Sequence, residues 1–126
     1  MNDKPELAWT MYISSDHSMI AFKILSFIAH EFYRMGFYYF AFKSFLHLEK
    51  FSPSIENGNA KIASATGVFL KLASGKDNDY EKLQDVINGL ADSVSSTYQS
   101  EEVLKMIKTF MKWGKEKGYN FTDNIY

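Results

Sequence analysis

From Phe22 to Pro53 the chain runs FKILSFIAHEFYRMGFYYFAFKSFLHLEKFSP, and its apolar positions keep the period of an α-helix. Ile24, Leu25, Ile28, Phe32 and Met35 recur at spacings of three and four, which gathers them on one helical face. Gly36 follows at the place where a helix C′ residue takes positive φ. Tyr38, Ala41, Phe42, Phe45 and Leu48 then resume the same period. Pro53 closes the stretch, because proline has no N–H to continue a helix. The pattern predicts two amphipathic helices joined by a tight glycine turn.

The rest of the chain carries the same kind of pattern more weakly. Ser18 or Asp16 is a suitable cap for the first helix. Ser54 is expected to cap a third helix reaching about Ala73, with Ile62, Thr66, Phe69, Leu70 and Ala73 as its apolar stripe. Gly58 weakens its first turns and Gly75 ends it. Ser74 to Asp79, SGKDND, reads as a surface loop. Asn78 with Glu81 resembles a capping box, and a fourth helix carries Tyr80, Leu83, Ile87, Leu90 and Ala91 on one side. Ser93 to Ser100, SVSSTYQS, reads as a linker. Ser100, Glu101 and Glu102 start a fifth helix that runs to Lys117, since carboxylates suit the positive helix end. Gly118 ends it. Before the first pair, residues 1–17 form a polar tail with one or two helical turns marked by Leu7, Ala8, Met11 and Tyr12. Pro5 there suits a first-turn position, and Trp9 is expected to fold onto the following helix. The last residues, 118–126, show no clear period and read as a tail. The helical domain is therefore placed at 18–117.

The Phe22–Pro53 unit fits the 34-residue tetratricopeptide pattern. Leu25, Ile28, Ala29 and Phe32 occupy its first-helix positions. Gly36 and Tyr38 occupy the turn, and Ala41, Phe45 and Pro53 the second helix and its close. Leu25 stands where Trp is usual, Ala29 where Gly is usual, and Leu48 where Ala is usual. The next pair keeps the period but loses the signature. The predicted fold class is all-α, with about five helices in tetratricopeptide-like hairpins forming the end of an α-solenoid. Such arrays need neighbours, because one pair cannot bury its own apolar face.

Composition narrows the function. The 126 residues carry a net charge of −1, without the basic excess of a nucleic-acid binder. There is no cysteine, so disulfide frameworks and thiol chemistry are excluded. Lys23, His30, Glu31, Arg34 and Lys43 interrupt the apolar region, and no transmembrane segment is expected. The polar start is unlike a signal peptide, so a soluble intracellular protein is expected. Asn120-Phe121-Thr122 matches a glycosylation sequon, a chance match without secretion.

No catalytic constellation is visible. His30-Glu31 opens an HExxH pattern, but Arg34 fills the last position. His17, His30 and His47 are isolated, and the glycines form no phosphate loop. No GxSxG elbow is present. No cofactor or metal is expected, and no enzyme. Two surfaces stand out instead. Lys23, Ser26, His30, Tyr33 and Arg34 lie off the core stripe of the first helix and would line the groove of a tetratricopeptide unit, suited to an acidic segment. On the fifth helix, Lys105, Lys108, Lys112 and Lys115 form a stripe opposite Val103, Leu104, Ile107, Phe110 and Met111, with Trp113 at the edge. Lys108, Lys112 and Trp113 are the candidate binding residues there. A basic amphipathic helix also fits calmodulin or a membrane surface.

Taken in order, PELAWTMY, FKILSFIAHEFYRMGFYYFAFKSFLHLEKFSP, IASATGVFLKLASGK and VLKMIKTFMKWGKEKG resemble the C-terminal region of intraflagellar transport protein 56, over about Pro5 to Lys117. That family is the tetratricopeptide subunit of intraflagellar transport complex B. The resemblance implies a non-enzymatic adaptor in the cilium or flagellum, the cytoplasm and the basal body. It implies contact with intraflagellar transport protein 46 and delivery of motility cargo such as dynein arms. The resemblance does not extend to the family's long N-terminal solenoid, so a fragment of a longer protein or a short paralogue is expected.

Overall fold

The computed structural model describes residues 19–94, 97 and 99–121. The readings on residues 1–18, including Trp9 and the Ser18 or Asp16 cap, lie outside the described residues. Within them the chain forms five helices and no strand: α1 (Met19–Arg34), α2 (Tyr38–Phe51), α3 (Ile55–Ala73), α4 (Glu81–Ser93) and α5 (Ser100–Glu116). These are tetratricopeptide-like helical hairpins, as the periodicity predicts.

The signature positions of the first pair make its seam. Leu25, Ala29 and Phe32 of α1 are buried against Ala41, Phe45 and Leu48 of α2. Gly36 turns the chain between them at φ +83, and Gly75 and Gly118 end α3 and α5 in the same conformation. The opposite side of α2 serves a second cluster. There Phe42 packs with Ala65, Val68 and Leu72 of α3, with Leu83, Val86, Ile87 and Leu90 of α4, and with Val103, Ile107 and Phe110 of α5. Each large apolar side chain buried in this way is worth about 1.5–3 kcal/mol. Helix α2 is thus the shared wall of two cores, and the buried residues of α1 belong to the smaller one.

Several expected stripes are rotated. On α3 the buried face runs through Gly58, Lys61, Ala65, Val68 and Leu72, whereas Leu70 is 56% exposed and Ala73 is exposed. Small residues decide this face, because they let α2 approach closely, and hydropathy alone does not count them. Gly67 shows the effect most clearly: a Cβ there would lie 2.4 Å from the Tyr38 ring. Ile24 on α1 and Leu104 on α5 are likewise exposed, as is Phe27. The cap of α4 also differs from expectation. The N-cap is Tyr80, which makes no side-chain cap bond, and the Glu81 N–H donates to Asp79 Oδ1 at 3.2 Å rather than to Asn78. Helix α5 has Gln99, not Ser100, at its N-cap, and no side-chain cap bond. In the expected tail, Phe121 packs against the larger core and lies over Gly114.

The least expected feature is a charged one. Lys61 of α3 and Glu49 of α2 are 0% and 1% exposed, and their side chains meet at 2.5 Å. Lys61 Nζ also donates to Ser93 Oγ at 3.0 Å, at the end of α4. Thr97 Oγ1 donates to the other Glu49 oxygen at 2.9 Å, from the α4–α5 connection. Gln99 continues the chain of bonds, donating to Asn59 Oδ1 at 3.0 Å. A buried charge is tolerated only when paired and hydrogen-bonded, and here four segments share the task.

Two outcomes follow in urea denaturation. Lys61→Met, which leaves Glu49 unpaired, is expected to cost about 3–5 kcal/mol, and pairing it with Glu49→Leu recovers most of that loss. Gly67→Ala is expected to destabilise by about 1–2 kcal/mol despite alanine's better helix propensity, because the Tyr38 ring must move.

Candidate functional site

The turn between α1 and α2 is built by backbone bonds. Phe37 N–H donates to Phe32 O at 2.8 Å and Gly36 N–H to Tyr33 O at 3.1 Å. This brings Tyr33, in the last turn of α1, next to Tyr38 at the start of α2, with their rings edge-to-face at 5.3 Å. The Tyr38 ring rests on Gly67 of α3. One turn further along, Lys71 Nζ donates to Gly36 O at 2.6 Å and stands 5.3 Å from the centre of the Tyr38 ring. With Ala63, Thr66, Leu70, Ser74 and Lys76 these residues wall an open cleft of about 600 Å³. Its lining includes two lysines and no carboxylate. Two of its walls, Tyr33 and Leu70, are exposed large apolar side chains.

The residues predicted on α1 are spread along its outer side. Lys23, His30, Tyr33 and Arg34 are exposed and Ser26 is half-buried. Only Tyr33 of these lines the cleft. The His30 ring meets Phe45 edge-on at 5.1 Å. Arg34 donates to both oxygens of Glu31, at 3.2 and 2.7 Å, which holds the Glu31 carboxyl below its usual value and raises the Arg34 guanidinium. On α5, Lys108 and Lys112 are exposed. Trp113 is half-buried, stacked on Tyr80 at 5.7 Å and edge-on to Phe69 at 5.2 Å. The structure does not bring these α5 residues into the cleft beside Tyr33.

A sequence model of intraflagellar transport protein 56 matches residues 1–121. The chain belongs to that family. An intraflagellar transport protein 56 homolog of Caenorhabditis elegans is 27% identical over 111 residues, covering 86% of this chain. The chain spans 19% of that relative's length. No helix among the described residues is long and apolar enough to cross a membrane.

In this family member the cleft residues Tyr38, Leu70, Lys71 and Lys76 escape a reading of the sequence. Leu70 has the right period for the α3 stripe, which by pattern alone places it in the core, yet it is exposed beside Lys71. The available signal is Gly67, an interior helix glycine that makes sense only if something packs flat against it.

Beyond the cleft, the α3–α4 loop carries a charge-dependent clamp. Burial of Asp77 works against its ionisation. Lys82 Nζ at 2.8 Å and the backbone N–H groups of Asp79 and Asn78 outweigh it, holding the carboxyl below its ordinary value. A carboxyl depressed in the folded state stabilises fully above its unfolded pKa and loses that contribution as the pH falls through the folded one. Thermal melts in acid are therefore expected to fall less steeply for Asp77→Asn than for the natural chain below about pH 4.

Proposed function

We propose that this chain is a non-enzymatic adaptor of intraflagellar transport complex B and forms the end of an α-solenoid. Its expected contacts are intraflagellar transport protein 46 and, through it or beside it, dynein-arm cargo. Its expected places are the cilium or flagellum, the cytoplasm and the basal body. The observation that carries this reading is the family match over 1–121, joined to a rigid helical framework that leaves aromatic and cationic side chains exposed. Held in place by a packed core, such a surface lowers the ordering cost of docking. The exposed Ile24 and Phe27 on α1 support the same reading, since a stacked helix pair would cover them.

The alternative is a calmodulin-binding or membrane-surface module using α5. Its exposed lysines fit, but Val103, Ile107 and Phe110 are 0%, 2% and 4% exposed. Most of the apolar face that either partner requires is packed into the core, with Leu104 left exposed. That favours the adaptor.

Capture from ciliated cells tests the choice. The tagged 126-residue chain is expected to retain complex B subunits. Tyr33→Ala with Arg34→Ala is expected to weaken retention several-fold at an unchanged thermal melt. Calcium-dependent calmodulin binding at micromolar strength, with no complex B retention, would replace the adaptor with the regulatory module.

A further inference from the structure

The cleft between the α1–α2 turn and α3 combines features that the adaptor reading leaves unused. Its walls are apolar where Tyr33, Tyr38 and Leu70 meet, yet Tyr33 and Leu70 remain 41% and 56% exposed. Both of its charged residues are cations. Lys71 is half-buried, and an ammonium has three donors. One goes to Gly36 O and the ring of Tyr38 faces the group, but no carboxylate meets it among the described residues. Lys76 is exposed and likewise forms no ion pair there. The first turn of α2, which also borders the cleft, has no side-chain cap, so its leading N–H groups add positive potential. The negative ends of α1 and α3 are partly answered in place, because Lys71 sits in the last turn of α3 and bonds the carbonyl after α1.

Two other clefts among the described residues lack this combination. One holds Glu101 and Glu102 beside a single lysine, and another mixes Glu49, Lys50 and Asp92. At about 600 Å³ and open to solvent, the Tyr33–Leu70 cleft has the size of a recognition pocket but the shape of a trough. We propose that it takes an acidic peptide segment of a protein partner, with one bulky apolar side chain seated between Tyr33 and Leu70 and flanking carboxylates on Lys71 and Lys76. This rests on the adaptor reading and names the chemistry of the segment that the adaptor holds. The pairing is complementary in both senses: the apolar anchor loses water against a preformed wall, and the carboxylates supply the counter-charge that the lysines lack.

Selection of a random-peptide phage library on the whole chain tests it. Enriched sequences are expected to carry Asp or Glu around a Leu, Phe or Trp. Leu70→Ser and Lys76→Glu alter exposed positions and should leave the thermal melt unchanged. Each is expected to weaken the best synthetic peptide at least about tenfold in fluorescence anisotropy, the scale of losing one anchoring contact. Added salt is expected to weaken binding further. No enrichment, enrichment of basic or uncharged sequences, or indifference to both variants would overturn the proposal. Self-association of the chain that Leu70→Ser abolishes, without peptide enrichment, would overturn it in favour of a second copy. Complex B retention by the natural chain, measured in parallel, separates the two readings. Retention without peptide selection removes only this proposal, and peptide selection without retention removes only the adaptor.

Discussion

Helix α2 is buried on two sides, and the rest of the structure follows from that constraint. Ala41, Phe45 and Leu48 face α1, while Phe42 enters the core shared by α3, α4 and α5. A helix in this position has little room for rotation, since turning it would expose one set while overpacking the other. Its two ends are then fixed against α3 by different means. At one end the Tyr38 ring lies on the bare backbone of Gly67. At the other, Glu49 meets Lys61, both buried. One contact depends on a missing side chain and the other on an exact charge match, so the α2–α3 register is set twice.

That register creates the cleft. Tyr38 is both the packing element against α3 and the wall beside Tyr33, and Lys71 ties the far side of α3 back to the turn at Gly36. Structure and recognition therefore share residues here. A surface built on helix termini and a glycine contact is held by the packing of the fold itself, as the proposed recognition role requires.

Much of this was legible in the sequence, and the parts that were not have physical causes. The α1–α2 pair was legible because its core positions are large, apolar and correctly spaced, and because Gly36 must adopt positive φ. The length of α5 was legible from its acidic start and Gly118. The face of α3 was not, because it packs through Gly58, Lys61, Ser64, Ala65 and Gly67 as much as through Val68 and Leu72. Period analysis weighs grease, and this interface is chosen by smallness. The same error concealed the cleft, whose Leu70 looked like core. The buried ion pair was hidden for another reason: Lys61 and Glu49, twelve positions apart in the chain, look like ordinary solvated charges until two consecutive helices bring them together. The connection Ser93–Ser100, read as a linker by composition, supplies Ser93 and Thr97 to that pair.

Thr97 gives the buried carboxylate a meaning beyond packing. It sits between α4 and α5, yet its hydroxyl completes the solvation of a charge that belongs to α2. Were α5 to detach and draw this connection away, Glu49 would lose a donor deep inside the remaining helices. Peeling the last helix from the bundle thus carries an electrostatic penalty felt two helices away, and the C-terminal part opens together with the centre rather than fraying from its edge.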